Sequence, residues 1–532
     1  MKTFHYATAI VLAIAMFVAC GKDEITDLQT SVDSGATDET TIDDFTADRT
    51  VYVTYSTSGD ATVTGTSDEF AVSISGNGVT IANNGDDKVT YVLSGSTGNG
   101  YFKLYSLRKQ AIYLNSVSIT NPNGAAINIQ GSADSLSRGK RAYVVLNGNS
   151  TLSDGTTYAG TLLGEDEKGV FFSEGVLYFS GSGSLAVTAK GKSGIVTDDE
   201  LYIQGGTINV SMTSSARVIS GDTLKPACIR GKEAFGISGG TLTVSSSGTG
   251  GKGISGDGTA SFSGGTVTVN VTGSNFGSSG GSGGGMGPGG QSNSSSGVPA
   301  KGIKFDGSVA FSGSDVSVSC SSHEGIESKG ALTVTAGSVY SYSAADDAIN
   351  ASGDITITGG YVGAHSTSND AIDANGDMHI QGGVVYAVTS ASGAEVALDA
   401  NTESGKKLYV EGGTLIVVGG MENGAQLTQS CYQASSVTGN VWYSIIVGSD
   451  TYAFKTPSTS TSGGGGHGPG GGGSNNALVV SGSSQPTVKS GVSVSGGTSY
   501  FGGTFNVGGT ISGGSGVSLS GYSGGNGGGF PF

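Results

Sequence analysis

Acidic side chains recur at a fixed spacing in the second half of the chain. The stretch "DDAINASGDITITGG" runs from Asp346 to Gly360, and "NDAIDANGDMHIQGG" follows from Asn369 to Gly383. The isoleucines that anchor successive copies lie 23 residues apart, at Ile303, Ile326, Ile349 and Ile372. If the copies stack as neighbouring strands, equivalent side chains lie about 4.8 Å apart and form columns. The spacing therefore predicts columns of carboxylates.

Two such columns predict a Ca²⁺ site. Two carboxylates at this spacing repel each other by roughly 3 kcal/mol at an effective dielectric constant near 20. Ca²⁺ binds six to eight oxygen ligands and would relieve this repulsion. The predicted ligands lie two residues before or one residue after an isoleucine: Glu324, Glu327, Asp347, Asn350, Asp370 and Asp373, with Asp399 next in the second column. Two alternatives remain open, because acids at turns are often solvated, and Lys301 and Lys304 fill the same columns one copy earlier.

Aromatic side chains form a second periodic pattern. Counted from the glycine pair of each copy, Tyr340 and Tyr386 share one column, and Tyr342 and His365 share the next outward column. Tyrosine rings on a flat face could lie under sugar rings. The sequence predicts a carbohydrate-binding face at these four residues, although aromatic residues are also common in strands for structural reasons alone.

The elements that carry these columns are short strands. The chain has 532 residues, of which 97 are Gly, and apolar residues alternate with polar ones in segments such as "LTV" and "ITI". This alternation is typical of strands separated by turns. A propeller blade needs roughly 40 residues, so a 23-residue period is too short for one. We expect an all-β, right-handed parallel β-helix with about 23 residues per coil.

The same pattern predicts how the chain is divided. The β-helix is expected to span residues 51–424, with a Gly/Ser loop inserted at 273–299. Residues 425–532 are expected to form a Gly-rich β segment that caps the open end. Such a cap would cover apolar core and an unpaired strand edge.

The N-terminus predicts export and lipidation. An apolar run from Ala7 to Ala19 precedes Cys20, and it is shorter than the roughly 20 residues that span a bilayer. The "FVAC" stretch resembles a bacterial lipoprotein cleavage box, which implies a signal peptide at 1–19 and a lipid on Cys20. Residues 20–50 would then form an acidic tether, and "CGKDE" resembles a surface-export signal of Gram-negative lipoproteins. The expected location is the outer membrane, exposed at the cell surface.

Composition excludes several functions. The formal net charge of −17 and the lack of a basic stretch argue against nucleic-acid binding. Three further cysteines, Cys228, Cys320 and Cys431, show no CxxC spacing and are expected to be small buried apolar residues. The sequence has neither a zinc-hydrolase motif nor a nucleotide-binding loop. A monomer without catalytic residues is expected.

The order of whole segments also carries a resemblance. "TLSDGTTYAG", "GVLYFSGSGSLAVTAKGKSGIVTDDELYIQGGTINV" and the "DDAI" copies are similar to a family of extracellular bacterial carbohydrate-binding β-helix proteins, over residues 51–424. The resemblance implies Ca²⁺ and binding of plant-wall polysaccharides such as cellulose or polygalacturonate. The segments "VWYSIIVGSDTYAF" and "ALVVSGSSQPTVKSGVSVSGGTSYFGGTFNV" resemble the end of the same family.

The expected function is therefore binding of an acidic polysaccharide at the cell surface through Ca²⁺. One alternative is a Ca²⁺-dependent polysaccharide lyase acting on pectic glycans, because Lys301, Lys304 and Lys329 lie near the acids and could take a proton. A second alternative is an adhesin or spacer rod that has no catalytic activity.

Overall fold

Short β-strands make up almost all of the regular structure. The computed structural model describes residues 41–131, 141–159, 165–277, 297–391, 395–458 and 478–524. The chain divides into two units, Met1–Ser246 and Ser247–Phe532. Three-residue 3₁₀ turns lie at Ile42–Asp44, Thr402–Ser404 and Phe501–Gly503. Among the described residues, no helix is both long and apolar enough to cross a membrane.

The strands of the first unit belong mainly to two sheets. Those of the larger sheet are β1 (Arg49–Tyr55), β2 (Thr62–Thr64), β5 (Val89–Thr97), β7 (Gln110–Asn115), β8 (Ser118–Asn121), β10 (Arg141–Asn147), β11 (Asn149–Asp154), β13 (Val176–Gly181), β14 (Ser184–Ala189), β16 (Glu200–Ile203), β17 (Thr207–Met212), β21 (Ala234–Ile237) and β22 (Thr241–Ser246). Those of the smaller sheet are β3 (Phe70–Ser75), β4 (Asn77–Asn83), β6 (Gly100–Ser106), β9 (Ile127–Gln130), β12 (Gly169–Ser173), β15 (Ser193–Thr197) and β20 (Ala227–Gly231). A separate hairpin consists of β18 (Arg217–Ile219) and β19 (Asp222–Leu224).

The second unit continues the same kinds of strand and adds a third sheet. Its strands of the larger sheet are β24 (Thr259–Phe262), β25 (Thr266–Val271), β27 (Val309–Cys320), β29 (Leu332–Ser343), β31 (Ile355–Ile357), β32 (Tyr361–Ser366), β34 (Met378–Ile380), β35 (Val384–Thr389), β37 (Leu408–Val410), β38 (Thr414–Val418), β39 (Gln426–Leu427), β40 (Cys431–Ala434), β43 (Leu478–Ser481) and β48 (Ser520–Tyr522). Its strands of the smaller sheet are β23 (Lys252–Gly256), β26 (Ile303–Phe305), β28 (Ile326–Ser328), β30 (Ile349–Ala351), β33 (Ile372–Ala374) and β36 (Leu398–Ala400). The third sheet is antiparallel and holds β41 (Trp442–Val447), β42 (Asp450–Lys455), β44 (Thr487–Ser495), β45 (Thr498–Tyr500), β46 (Phe505–Val507) and β47 (Thr510–Gly516).

The predicted open parallel β-helix is wrong, because the larger sheet closes on itself. In the first unit β5 pairs with both β7 and β8, and in the second unit the long strand β27 pairs with both β24 and β25. Among the described residues, fourteen parallel strands form a closed barrel, with further strands outside it. The isoleucine spacing predicts which residues stack. It does not show that β5 and β27 are long enough to pair with two consecutive strands each, β7 and β8 or β24 and β25.

Alternating side chains build the core of each unit. In β17, Ile208, Val210 and Met212 are buried while the residues between them face outward. In the second unit the glycine pairs make the turns that follow such short strands. Gly360 and Gly383 have positive φ angles of 78° and 72°, a conformation that side-chain-bearing residues rarely adopt. The three cysteines beyond Cys20 are free and buried, as expected from their spacing.

The C-terminal residues pair with one strand of the barrel and pack against others. Strand β43 pairs antiparallel with β38 and so covers one strand edge. The antiparallel third sheet packs through Phe454, Phe501 and Phe505 against tyrosines of β29 and β35. This packing decides which of the predicted aromatic residues remain accessible.

Candidate functional site

The smaller sheet of the second unit positions the acidic columns. Successive strands pair in parallel so that Ile303, Ile326, Ile349, Ile372 and Leu398 form one buried row. The residue after each of these forms the second predicted column, in the order Lys304, Glu327, Asn350, Asp373 and Asp399. The predicted alignment of this column, including Asp399, is confirmed by the pairing.

The first predicted column lies just before these strands. The backbone N–H of Gly325 donates to the carbonyl of Asp347, and that of Ala348 donates to the carbonyl of Asp370, so successive copies stack here as well. The Asp370 N–H also donates to Asp347 Oδ1 at 3.2 Å, and Val396 N–H donates to Asp370 Oδ1 at 2.6 Å. The backbone thus fixes these two carboxylates in consecutive positions.

Lysines neutralise one end of the columns. Lys301 Nζ lies 2.5 Å from Glu327 Oε2 and 3.0 Å from Glu324 Oε2, and Lys329 Nζ lies 2.5 Å from Glu327 Oε1. We call these four residues the lysine end. Glu327 is fully buried, which by itself would raise the pKa of its carboxyl, but the two ammonium groups outweigh this and lower it. Burial would lower the pKa of Lys301, yet Glu324 and Glu327 raise it.

The other end of the columns carries four carboxylates without such partners. They belong to Asp347, Asp370, Asp373 and Asp399, which we call the aspartate end. Within the part of the chain that the structure describes, no lysine, arginine or histidine forms an ion pair with any of them. Asn350 bridges two of them, donating to Asp347 Oδ2 at 3.0 Å and to Asp373 Oδ2 at 2.7 Å.

Burial and mutual repulsion shift the titration of the aspartate end upward. Burial, followed by the charges of Asp373, Asp346 and Asp370, raises the pKa of Asp347 to about 9. Burial is also the main cause that raises the pKa of Asp370 to about 7 and that of Asp373 to about 6, with neighbouring carboxylates adding to it. Burial and the hydrogen-bonded Glu422 raise the pKa of Asp399. These groups are costly to ionise together unless a cation joins them.

A third column was missed by the sequence reasoning. His323, Asp346 and Asn369 each lie three residues before an anchoring isoleucine. His323 Nδ1 contacts Glu324 Oε2 and lies 2.8 Å from Asp346 Oδ2, and Asn369 Nδ2 donates to Asp346 Oδ1 at 3.0 Å. Burial would lower the pKa of His323, but the hydrogen bonds with Asp346 and Glu324 raise it to about 9. Aligning "HEGI", "DDAI" and "NDAI" by their first letter would have revealed this column.

The predicted carbohydrate face is largely covered. Tyr340 and Tyr386 do share a column, with Gly363 paired between them. Tyr386 is only 4 % exposed, and its hydroxyl donates to the Lys455 carbonyl at 2.9 Å. The Phe501 ring stacks on Tyr340 at 5.4 Å and lies over Gly363, where an added Cβ would come within 2.7 Å of it. The third sheet therefore occupies the surface that a sugar ring would need at Tyr386.

The side chains of the second predicted aromatic column are more exposed to solvent than Tyr386 is. Tyr342 and His365 pair across β29 and β32 and lie edge to face, with ring centroids 5.3 Å apart. Burial lowers the pKa of His365 to about 4, so its imidazole is neutral at physiological pH. His365 also lines a small cleft of about 210 Å³, whose other walls include Tyr340, Tyr386, Asn440 and Thr504.

The lysines suggested for a lyase all hold carboxylates. Lys301 and Lys329 belong to the lysine end, and Lys304 pairs with Asp306. An ion pair favours the protonated form of lysine, and a general base must be unprotonated before it acts.

Several sequence-based predictions lie outside the described residues. They include the signal peptide, the lipidation of Cys20, most of the acidic tether and most of the Gly/Ser loop. The export, anchoring and surface location expected from them stay predictions.

Comparison with known proteins identifies the class. A family model described as carbohydrate-binding domain-containing protein matches residues 75–369, more than half of the chain. The chain belongs to this carbohydrate-binding domain-containing family. The matched region includes the lysine end and Asp347, whereas Asp370, Asp373 and Asp399 lie just beyond it.

Other comparisons add little. No curated protein sequence matches the chain at a significant level. One similar solved structure is that of the polysaccharide lyase-like protein from C. thermocellum, as a gadolinium derivative. It is 15% identical, covers 65% of this chain and 95% of its own, and superposes with a TM-score of 0.31. A likeness this weak carries no argument about function.

Proposed function

We propose that this protein binds an acidic polysaccharide through Ca²⁺ held at the aspartate end. The observation that supports this proposal most is the concentration of four partly or fully buried carboxylates without a basic partner among the described residues. Membership of a carbohydrate-binding family supports the general function. The metal and the kind of polysaccharide are our inference.

The lysine end shows how a positive charge can neutralise the same two columns. Glu324 and Glu327 occupy the same two columns as Asp370 and Asp373, two strands away. At the lysine end, the Lys301 ammonium lies between the two carboxylates. The corresponding position between Asp370 and Asp373 has no lysine, because Asp347 and Asn350 precede them in the columns. A dissolved cation would fill the same electrostatic role there.

The donor set fits Ca²⁺. All four side chains offer carboxylate oxygens, which this ion prefers, and Glu395 and Glu422 lie close enough to raise the pKa of Asp370. The four carboxylates do not converge on one point in the structure, as expected of groups that repel one another. Bound Ca²⁺ would supply the positive charge that lets these aspartates ionise together.

A bound Ca²⁺ ion would also allow a negatively charged polysaccharide to bind this negatively charged protein. The net charge of −17 repels a polyanion, so direct contact with a uronic-acid polymer is unfavourable. Ca²⁺ takes up to eight ligands, and carboxylates of the sugar could fill positions that the protein leaves open. The Tyr342 and His365 pair offers a partly exposed aromatic surface for sugar rings in addition.

The test is binding of polygalacturonate by chelator-treated protein. We expect retention on the immobilised polymer with Ca²⁺, loss with chelator, and much weaker recovery with Mg²⁺, which requires tighter octahedral geometry. Asp370→Asn with Asp373→Asn should abolish retention. The matched control is Asp60→Asn with Asp222→Asn, which makes the same two substitutions at exposed positions. Retention that survives chelator in the parent protein would contradict the proposal.

Binding without turnover is the second part of the proposal. The ion pairs of Lys301, Lys304 and Lys329 support it, because a carboxylate of the protein already contacts each ammonium group. Incubation with polygalacturonate and Ca²⁺ should produce no new unsaturated ends, measured by their ultraviolet absorbance. A steady increase that disappears in Lys329→Met would make the protein a lyase.

A further inference from the structure

Three side chains at the edge of the acidic columns converge on one point. They are His323, Glu324 and Asp346, and their donor atoms all lie within 4.8 Å of one another. Both carboxylates approach the same ring atom, His323 Nδ1. Among the residues that the structure describes, no other group of three histidine, cysteine or acidic side chains brings its donor atoms this close.

The chemistry of this group differs from that of the aspartate end. It offers one imidazole nitrogen and two carboxylate oxygens, whereas the aspartate end offers oxygen alone. Imidazole is a good ligand for Zn²⁺, Co²⁺, Ni²⁺ and Cu²⁺, and Ca²⁺ prefers oxygen ligands. The group is thus suited to a divalent transition-metal ion.

Surrounding contacts already hold the three donors in place. The Ser343 hydroxyl donates to the His323 carbonyl at 2.8 Å and accepts from the Asp346 N–H at 3.0 Å, which ties the two backbone segments together. Asn369 holds the far oxygen of Asp346 at 3.0 Å, and Lys301 Nζ lies 3.0 Å from Glu324 Oε2, the same oxygen that contacts His323. Such outer contacts orient metal ligands and contribute to affinity.

The group is also accessible. The side chains of His323 and Asp346 are 28% and 27% exposed, whereas that of Glu324 is 10% exposed. A metal ion could approach from the solvent and keep water or a further ligand on its open side.

We propose that His323, Glu324 and Asp346 form a binding site for a divalent transition-metal ion such as Zn²⁺ or Co²⁺. The ion takes the position of the proton that Nδ1 shares with the two carboxylates, and that proton is released to solvent. This site shares none of the four residues of the aspartate end, although the charge of Asp346 contributes to the raised pKa of Asp347. The simpler reading is a permanent ion pair between an imidazolium and two carboxylates.

The experiment titrates full-length protein, purified without a histidine tag, with Co²⁺ and follows the visible absorption of the ion. We expect saturable binding whose spectrum shows nitrogen ligation and does not change when excess Ca²⁺ is added. His323→Gln and, separately, Asp346→Asn should abolish that spectrum. Asn369→Ala should weaken Co²⁺ binding by about 10–100-fold, the usual effect of losing an outer contact to a metal ligand.

The matched control is His379→Gln. His379 is a partly exposed histidine beside one carboxylate, that of Glu411 at 3.2 Å, and it stacks on Tyr409. This substitution should leave Co²⁺ binding unchanged. If the parent protein gives no saturable spectrum, or if His323→Gln binds Co²⁺ as the parent does, the group is only an ion pair and the proposal is wrong. Neither result bears on the Ca²⁺ site, which is tested with Ca²⁺ and polygalacturonate.

Discussion

The lysine end and the aspartate end occupy the same two columns of one sheet and treat negative charge in opposite ways. At the lysine end, Lys301 and Lys329 neutralise Glu324 and Glu327 within the protein. At the aspartate end, no basic side chain of the described residues pairs with Asp347, Asp370, Asp373 or Asp399. A stacked acid column therefore does not by itself predict a metal site, and the side chains of the neighbouring copy decide its function.

The largest effect on stability should follow from removing the ammonium group of Lys301. Lys301→Met leaves the fully buried Glu327 with only Lys329 as a partner. We expect the free energy of unfolding to fall by about 3–5 kcal/mol, as for other broken buried ion pairs. Denaturant unfolding in the presence of chelator measures this loss.

The control for this change is Lys304→Met. Lys304 pairs with the half-exposed Asp306, so its loss should cost less than about 1 kcal/mol. Equal losses in the two variants would show that the lysine end is not held by Lys301. Added Ca²⁺ should restore part of the stability of Lys301→Met, because it can replace the ammonium between Glu324 and Glu327.

The next largest effect should be stabilisation of the parent by Ca²⁺. At a concentration 100 times the dissociation constant, an ion that binds only the folded state adds about 2.7 kcal/mol to the free energy of unfolding. Asp370→Asn with Asp373→Asn should lose this gain, and Asp60→Asn with Asp222→Asn should keep it. Unfolding curves with and without Ca²⁺ provide the measurement, and a full gain in the first double variant would place the site elsewhere.

Asn350 lies between the lysine end and the aspartate end, so a substitution there tests whether the cation binds near this boundary. Asn350→Asp removes the hydrogen bonds to Asp347 and Asp373 and adds a carboxylate. Without metal we expect a loss of about 1–3 kcal/mol of stability, the usual cost of unsatisfied buried groups. With the added oxygen ligand, the affinity for Ca²⁺ should increase. An unchanged affinity would mean that the ion lies away from Asn350.

A gradual effect is expected from pH. The folded pKa values of Asp347, Asp370 and Asp373 are about 9, 7 and 6, above the value near 3.9 of an unfolded aspartate. The folded state then binds protons that the unfolded chain releases. This contribution to stability is complete below about pH 4 and is lost as the pH rises towards 9. The melting temperature of the chelator-treated protein should fall from pH 5 to 9, and the rise on adding Ca²⁺ should grow. A flat profile would contradict these shifts.

The smallest effect should come from the covered aromatic column. Tyr386→Phe removes a single hydrogen bond to the Lys455 carbonyl and should cost about 1 kcal/mol of stability. Binding of polygalacturonate should not change, because the third sheet covers this ring. Loss of binding with little loss of stability would show that the column contacts the ligand after all.

The periodic part of the chain could be predicted because the pairing is local and regular. Residues 23 apart, such as Glu327, Asn350 and Asp373, lie opposite one another as the spacing predicts. The burial of Ile326 and Ile349 follows from the same alternation. The same spacing places His323 and Asp346 in a third column, but it does not show that these two different side chains contact each other.

The remaining features depend on contacts between distant parts of the sequence. Closure of the barrel depends on long strands such as β5 and β27, each of which pairs with two consecutive shorter strands on one side, and no local pattern reveals this. The cover over Tyr386 depends on Phe454 and Phe505, which follow it by 68 and 119 residues in a segment without the 23-residue spacing. Period-two alternation predicts that such segments are strands but not which face they pack against.

The most direct test of the comparison is a calorimetric titration of chelator-treated protein with Ca²⁺. The parent should bind Ca²⁺ with a saturable heat, and Asp370→Asn with Asp373→Asn should give none, while Asp60→Asn with Asp222→Asn titrates as the parent does. If the first double variant binds Ca²⁺ with the affinity and stoichiometry of the parent, the aspartate end is not the metal site.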